Sequence, residues 1–416
     1  MISTFKIAIR NLMRYKRRTL LTSLLITVGV LMVILFSGLS GSFKAMMIGQ
    51  ITDSKLAQMQ IHRRGYLSSI DTMPLNLNLN QEAYHKIESA LKHHPSVEAY
   101  APRIKLGAML SNFTETTNIR LSAIAPEEEI KVCPAIEDHI ISKDEKQEGF
   151  VKPGEIILPE KLAKGMRIKE GDTVVVVAHN KEGSINGLNF RVGGIMGDVL
   201  GPLGKEGYIH IKDARALLRM EEPEVTEVAI RLKDFNSLDA VFADLKSTLA
   251  KYKNPKGQPA LEIDTWETLS PFANVAKIID LMSLSMKLIM IAIVLISILN
   301  VMIMSVYERI REIGTMTAIG TAPGKVMGLF LAEGLSLGLI SAAAGNAIGL
   351  AGIYFLNVYK IRFSFGLLEN LLLSPTVNLS EVCLVSGIVL LVSVFATLQP
   401  AYKASRMEPV DALRHV

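Results

Sequence analysis

Four long stretches of the chain contain no charged residue, and they constrain the fold more than any other feature. They cover residues 19–43, 288–307, 334–359 and 382–402, and each is at least 20 residues long. A helix needs about 20 apolar residues to cross the hydrocarbon layer of a bilayer. Charged residues make up 20% of the chain, below the ~25% of soluble domains. The sequence therefore predicts four transmembrane helices and excludes a soluble enzyme.

The distribution of basic residues predicts the orientation of these helices. Six Lys and Arg residues lie in 1–18, three in 308–325 and three after residue 402, against two in 360–381. Positively charged flanks and short loops stay in the cytoplasm. Both termini and 308–325 are therefore expected in the cytoplasm, and the segment between the first two spans outside. A basic tail directly before an apolar span is typical of a topology signal, so we expect no nucleic-acid binding.

The first span also has features of a cleaved signal peptide, because small residues at 37–42 would allow cleavage. Its uncharged run of 25 residues exceeds the about 7–15 apolar residues of a signal-peptide core, so we predict a retained anchor. The predicted organisation is a basic cytoplasmic tail (1–18), a first span (19–43), a large extracytoplasmic domain with stalk helices (44–280), a second span (281–307), a cytoplasmic loop (308–325), a third span (326–359), a short extracytoplasmic loop (360–381), a fourth span (382–400) and a cytoplasmic tail (401–416).

Hydrophobic periodicity predicts that the large domain mixes strands and helices, an α+β fold. The acidic segment 126–148 is expected to be a loop, and the glycine-rich segment 183–207 to form hairpins. From Trp266 the chain is expected to continue as one helix into the second span. The chain has two cysteines, Cys133 in this domain and Cys383 in the fourth span, so no disulfide framework is expected.

The glycine-rich segment does not carry a nucleotide-binding motif. A Walker loop needs glycine five residues before Gly-Lys-Ser/Thr, but Val199 stands five residues before Gly204, and Glu206 follows Lys205. The eight histidines lack metal-ligand spacing, and no catalytic motif occurs. We therefore predict no catalytic residue, no metal site and no cofactor bound by this chain.

The most informative segment is 308–320, which follows the second span. It places two acids and two arginines within five residues and then has the pattern of a short amphipathic helix. One interpretation is an interfacial turn with snorkelling arginines. The other is a docking helix whose Ile310, Ile313 and Ala318 or Ile319 enter a groove of a partner. The candidate docking residues are Glu308, Arg309, Ile310, Arg311, Glu312, Ile313, Gly314, Ala318, Ile319 and Gly320.

This segment resembles the loop between the second and third spans of FtsX-like, MacB-type ABC permeases. Residues 8–12 and 16–22 look like the N-terminal segment of that family, residues 157–174 resemble its extracytoplasmic core domain, and residues 400–414 are similar to its C-terminal ending. Residues 37–43 and the strand ending at 60–62 resemble the LolC/LolE-like, lipoprotein-releasing branch.

The resemblance implies a permease in a bacterial inner membrane that lacks its own nucleotide-binding domain. Segment 308–320 would be the coupling helix on a separate cytoplasmic ABC ATPase, present in two copies, which binds ATP-Mg. A second permease copy or paralogue and a periplasmic lipoprotein carrier or adaptor would complete the complex. Mechanotransmission would then drive lipoprotein release. The alternatives are a MacB-like tripartite efflux permease, an FtsX-like signalling subunit that regulates cell-wall hydrolases, and an anchored receptor domain.

Small residues at four-residue spacing mark the third span. They allow helices to approach closely in lipid, although glycine is also common in membrane helices generally. Glu333 lies at the inner end of this span, where we expect it to cap the helix or reach the interface rather than take part in a transport cycle. No charge lies at mid-membrane, which argues against an ion-coupled transporter. The predicted packing residues are Gly334, Gly338, Ser341, Gly345 and Gly349.

Overall fold

The computed structural model describes residues 2–14, 16–143, 149–197, 206–359, 362–365, 368–372 and 374–408. The chain divides into two compact units. The membrane unit combines Met1–Ala45, Ala276–Phe365 and Glu369–Val416, and the sheet unit is built from Met46–Val275.

The α-helices of the described residues are numbered in chain order. They are α1 (Ile2–Arg14), α2 (Lys16–Ile51), α3 (Gln81–Lys92), α4 (Pro126–Val132), α5 (Glu160–Gly165), α6 (Ile211–Leu217), α7 (Leu238–Leu249), α8 (Trp266–Leu269), α9 (Ala273–Glu308), α10 (Ile310–Ala318), α11 (Pro323–Tyr359) and α12 (Leu379–Ser405).

The strands are numbered in the same way. They are β1 (Met59–Arg63), β2 (Val97–Ser111), β3 (Thr116–Ile124), β4 (Ile140–Lys143), β5 (Glu155–Pro159), β6 (Thr173–His179), β7 (Ile185–Met196), β8 (Glu206–His210), β9 (Glu227–Leu232), β10 (Leu261–Thr265), β11 (Arg362–Phe365) and β12 (Leu368–Leu372).

Helices α2, α9, α11 and α12 are long and apolar enough to cross a membrane. Each helix is longer than the uncharged stretch from which it was predicted, because neighbouring residues that include charged ones are also helical. The buried core of the membrane unit draws side chains from all four and from α1 and α10. The predicted class, four transmembrane helices with an α+β domain, is confirmed.

The sheet unit is organised around one large, mostly antiparallel sheet. Its strands follow the order β10-β1-β9-β2-β3-β8-β5-β7-β4, and β6 pairs with both β2 and β7. The β3–β8 and β5–β7 pairs are parallel. Strand β5 is buried on both faces, because Ile156 and Leu158 join one hydrophobic cluster and Ile157 joins another. Such two-sided burial explains its uninterrupted apolar sequence.

The composition of the acidic segment 126–148 predicted a loop, but part of this segment forms a helix and a strand. Pro126 opens helix α4, with three glutamates in its first turn, and β4 follows at Ile140–Lys143. Proline is favoured at the first helical position, and acids stabilise the positive end of the helix dipole. Residues 144–148 lie outside the described residues.

Two further expectations for the sheet unit need correction. Within 183–207, the described residues form one hairpin rather than several: Gly183 lies in the turn after β6, and residues 185–196 form β7, which pairs antiparallel with β6. Residues 198–205 lie outside the described residues. The chain also does not run as one helix from Trp266, because α8 ends at Leu269 and Ser270 is extended. Pro271 explains this break, since the residue before proline is sterically excluded from the helical region.

The membrane unit adds elements that the sequence did not predict. The basic tail contains the helix α1, which packs against α11. The 360–381 loop contains the paired strands β11 and β12. The fourth membrane helix continues through Pro400 to Ser405 rather than ending at 400.

Candidate functional site

Helix α10 is a short, separate helix between the membrane helices α9 and α11. Arg309 has non-helical backbone angles, which breaks the path between α9 and α10. At the other end, the amide of Gly320 donates to the Thr317 carbonyl at 3.0 Å, and Gly320 has a φ of +89°. This left-handed conformation favours glycine and ends the helix.

The inner face of α10 is buried within the membrane unit, which corrects one part of the docking prediction. Ile310, Ile313 and Gly314 are buried, and Ile313 is 0% exposed in the core cluster that contains Leu12 and Phe330. Their apolar surface is already covered by the chain itself. They therefore cannot enter a groove of a partner, because an amphipathic helix buries its apolar stripe against its own core first.

The outer face of α10 presents a different set of side chains. Arg311, Thr315, Ala318 and Ile319 are exposed, and their spacing places them on one side of the helix. Ile319 is 78% exposed, which is high for a large aliphatic residue. Glu308 and Gly320 are exposed at the two ends of the segment. This outer face, Arg311–Thr315–Ala318–Ile319, is the exposed side of α10.

Arg309 lies at the centre of a charged cluster beside α10. Its Nη1 donates to Glu333 Oε2 at 3.1 Å, and its Nε donates to Glu312 Oε2 at 2.9 Å. The guanidinium also lies over the Phe330 ring, 5.7 Å from its centroid. With its amide oriented to satisfy both groups, Asn11 accepts from Arg309 Nη2 at 3.0 Å. Arg309 therefore links α1, α10 and α11.

Glu312 extends this cluster to the surface of the membrane unit. Its Oε1 accepts from Arg14 Nη1 at 3.0 Å, and its side chain is 42% exposed. The hydrogen bond from Arg309, with the charges of Arg309 and Arg14, holds the pKa of Glu312 below its usual value. Glu312 is therefore ionised at neutral pH and joins Arg14 of α1 to Arg309, the residue between α9 and α10.

Glu333 occupies a different position from the one that the sequence predicted. It is buried rather than at an interface, and it contacts Arg309 from the preceding loop. A buried carboxylate is retained only where a cation compensates its charge. The pairing had a signal in the sequence, since Arg309 follows one span and Glu333 precedes the next uncharged stretch on the same predicted side of the membrane.

The small residues of α11 lie at two different helix contacts. A Cβ atom on Gly334 would stand 2.0 Å from Thr397 Oγ1, and one on Gly338 would stand 2.6 Å from Ser393 Oγ, both on α12. A Cβ atom on Gly345 or Gly349 would instead meet Val30 or Ile34 of α2, at 2.6 and 3.0 Å. Ser341 donates to Ser23 of α2 at 3.0 Å. Ser341, Gly345 and Gly349 therefore pack on α2, whereas Gly334 and Gly338 pack on α12.

Residue types that could hold a metal do not cluster in the part of the chain that the structure describes. No group of three or more His, Cys, Asp or Glu side chains there could bind an ion. Gly201, Gly204 and Lys205, which resembled part of a phosphate loop, lie outside the described residues.

Family comparisons identify the chain. The family model of the MacB-like periplasmic core domain matches residues 19–248, more than half of the sequence. A second family model, FtsX-like permease C-terminal, matches residues 284–409. The chain belongs to the FtsX-like, MacB-type family of ABC permeases. The resemblance found in the sequence is confirmed, and the permease is an inner-membrane protein whose family works with an ATPase.

Individual relatives match the permease over different lengths. The lipoprotein-releasing system transmembrane protein LolC of Neisseria meningitidis is 26% identical, over 84% of each chain. The pyoverdine export ATP-binding/permease protein PvdT of Pseudomonas syringae is 28% identical, over 55% of this permease and 34% of PvdT. The crystal structure of the periplasmic region of MacB from Actinobacillus actinomycetemcomitans matches at 15% identity with a TM-score of 0.35, covering 51% of the permease and 90% of that chain.

Proposed function

We propose that this permease is a subunit of an ATP-driven complex that extracts lipoproteins from the inner membrane. The match to LolC carries this proposal, since it extends over 84% of both chains and so includes membrane helices and the sheet unit together. The proposed partners are two copies of a cytoplasmic ATPase that bind ATP-Mg, a second permease copy or paralogue, and a periplasmic carrier or adaptor. The catalytic work on ATP is assigned to the ATPase.

The outer face of α10 is the proposed contact with the ATPase. It combines a charged side chain, Arg311, with the exposed aliphatic side chain of Ile319. An exposed apolar anchor beside a charge that fixes orientation is the usual composition of a helix that docks in a groove. The positive-inside pattern supports a cytoplasmic position for this segment, on the side where ATP is available.

The Arg309 cluster is the proposed connection between α10 and the membrane helices. A displacement of α10 moves Glu312, whose carboxylate is bound to Arg309, and Arg309 is bound to Glu333 on α11. Helix α11 in turn contacts α12 and α2 through residues without bulky side chains. Close-packed helices transmit displacement because their interiors have little free volume. Movement of α10 would thus reach the membrane helices that continue toward the sheet unit.

The docking surface is tested by a substitution on the outer face of α10 and a matched substitution in the sheet unit. Ile319→Asp should reduce co-purification of the ATPase at least tenfold, because it places a carboxylate in an apolar contact. Its unfolding temperature should not change, since Ile319 is exposed. Phe113→Asp, at an exposed aromatic residue of the sheet unit, is the matched control and should leave ATPase binding intact. Normal ATPase binding by the Ile319→Asp variant would exclude the outer face of α10 as the contact.

The substrate is tested separately in proteoliposomes that contain the permease, its ATPase and a triacylated lipoprotein. ATP should release the lipoprotein to a soluble carrier, and Ile319→Asp should stop release. PvdT supports a second candidate, export of a small molecule. ATP-dependent efflux of a siderophore without lipoprotein release would favour that candidate.

The orientation is tested by thiol labelling in intact cells after removal of Cys133 and Cys383. A cysteine at Ser374 should react with an impermeant reagent from outside, and one at Thr321 should not. Both positions are described and lie beside membrane helices. The reverse pattern would place α10 on the wrong side for any ATPase contact.

A further inference from the structure

The sheet unit contains a cleft that the proposed transport role does not use. Its volume is about 670 Å³, within the ~300–1,000 Å³ range of small-molecule sites. Its walls come from β2, β3, β6 and β7 and from the segment around Tyr66–Met73. All of these residues belong to the sheet unit.

One wall of the cleft exposes large apolar side chains. Ile70, Met109 and Ile185 all line the cleft, and each is among the exposed large hydrophobic residues of the chain. Val177 continues the same surface. Convergent exposed apolar residues indicate a binding surface more strongly than single ones scattered over a protein. The side chains on this wall would gain free energy if hydrocarbon covered them.

Among the residues that line the cleft, Tyr66 holds a buried donor without an acceptor. Tyr66 is 1% exposed, and its hydroxyl has no hydrogen-bond partner. Its ring is stacked on His62 with centroids 5.5 Å apart, which fixes its position. Burial, with Glu227 and Glu206 nearby, raises the pKa of Tyr66, so its hydroxyl remains protonated. A buried hydroxyl usually finds a partner, and a ligand oxygen that displaces the side chains covering this one would supply it.

The charged groups beside Tyr66 are already paired with one another. Glu206 accepts from Lys55 at 2.5 Å and from Lys105 at 2.7 Å. Glu227 accepts from Arg103, whose other partner is Glu129. Three cations thus balance three carboxylates. Arg120 and Asp71, which also line the cleft, pair with each other at 3.4 Å. A charged ligand would have to break one of these pairs, so the cleft favours a neutral molecule.

We propose that this cleft binds a neutral amphiphile with one hydrocarbon chain, whose chain covers Ile70, Met109 and Ile185 and whose ester oxygen accepts a hydrogen bond from Tyr66. The site goes beyond the transport role and does not rest on it. A negative result for the cleft would not contradict the proposed ATPase contact at α10, and a negative result at α10 would not contradict ligand binding in the cleft.

Gly107 provides a way to fill the cleft without disturbing the strand. It lines the cleft, and a Cβ atom placed on it would meet no atom within 4 Å. A leucine there would project into the binding space. Gly165 of α5 is the matched control, since its Cβ also meets nothing within 4 Å and it does not line the cleft.

The test uses the full-length permease in lipid nanodiscs and monomyristoylglycerol with a photoreactive group in its chain. Wild type should be labelled on the peptides that contain Met109 and Ile185, to saturation. Gly107→Leu should reduce that labelling at least tenfold, and Gly165→Leu should not change it. Labelling of Gly107→Leu at the wild-type level would overturn the proposal.

Tyr66→Phe tests the hydrogen bond and remains informative if Gly107→Leu fails to fold. Loss of one neutral hydrogen bond should weaken binding about two- to tenfold. The unfolding temperature without ligand should stay the same or rise, because the variant removes an unpaired buried hydroxyl. Unchanged binding, or equally tight binding of photoreactive myristate, which is anionic, would also overturn the proposal.

Discussion

Each unit of the permease contains a buried arginine between two glutamates, and the two clusters differ in how they meet solvent. In the sheet unit, Arg103 donates to Glu129 at 2.6 and 3.0 Å and to Glu227 at 3.1 Å, and all three residues are buried. In the membrane unit, Arg309 and Glu333 are buried, but Glu312 is partly exposed and shared with Arg14.

The difference shows which cluster can rearrange. Arg103 and both of its glutamate partners are buried, so any change of partner leaves an uncompensated charge inside the fold. Around Arg309, water can solvate Glu312 when it separates from the arginine, which lowers the cost of the separation. The first cluster is suited to hold a domain rigid, and the second to pass on a displacement.

The largest effect is expected at Arg103. Arg103→Met should destabilise the sheet unit by about 3–5 kcal/mol, because it removes the cation paired with the buried Glu129 and the hydrogen-bonded cation of Glu227. Thermal unfolding of the full-length permease, with thiol labelling of the buried Cys133, measures the change. Lys86→Met is the matched control, since the Lys86–Glu82 pair is exposed and solvent screens it, so its loss should have little effect. Equal effects of the two variants would mean that burial does not distinguish these pairs.

At the Arg309 cluster, substitutions should distinguish the contribution of the ion pair to stability from its contribution to coupling ATP hydrolysis to release. Arg309→Met removes the cation that contacts the buried Glu333 carboxylate and should destabilise the membrane unit by about 3 kcal/mol. Adding Glu333→Met should recover most of that loss, since an apolar pair of similar volume replaces the buried ions. The double variant should still hydrolyse ATP with its ATPase but not drive release. A double variant that transports normally would show that the ion pair serves stability alone.

The packing next to Glu333 should have a smaller effect. Gly334→Ala places a methyl group against Thr397 and should cost about 1–3 kcal/mol by overpacking. Gly328→Ala lies on the same helix, where a Cβ meets nothing within 4 Å, and should be neutral or slightly stabilising. Thermal unfolding of the two variants side by side measures the difference. A neutral Gly334→Ala would indicate that α11 and α12 separate without cost.

The smallest effect is expected on acidification. The pKa of Glu312 is lower in the folded permease than its usual value of 4.5, so its contribution is complete above pH 4.5. It is lost as the pH falls through the lowered value. Because solvent screens the pair, the loss should be below about 1 kcal/mol. The difference in unfolding temperature between wild type and Glu312→Gln should therefore narrow below pH 4.5. A constant difference would contradict the assignment.

The sequence predicted the class of the fold because its signals are local. Uninterrupted apolar runs identified the spans, and hydrophobic periodicity identified a domain that mixes strands and helices. Helix α4 was missed because acidic composition was interpreted as a loop, although Pro126 and the glutamates after it also fit the start of a helix. The break at Ser270 was missed because the effect of Pro271 was not considered.

The candidate site was harder to predict because it depends on distant contacts. Arg309 and Glu333 are 24 residues apart, and Arg14 and Glu312 are 298 apart. Hydrophobic periodicity identified Ile313 as apolar and placed it on the face for a partner, whereas the core of the membrane unit had already covered it. A helical pattern indicates which face is apolar but not which neighbour covers it.

Cys133 has a consequence for how the permease matures. Burial raises the pKa of this thiol to about 12 in spite of the adjacent Arg103, and both cysteines of the chain are free. The thiol is therefore protonated and inaccessible once the sheet unit has folded, and thiolate is the reactive form. Biogenesis of the permease accordingly requires no thiol oxidase or isomerase. The same folded protein should accumulate in cells grown with and without oxygen.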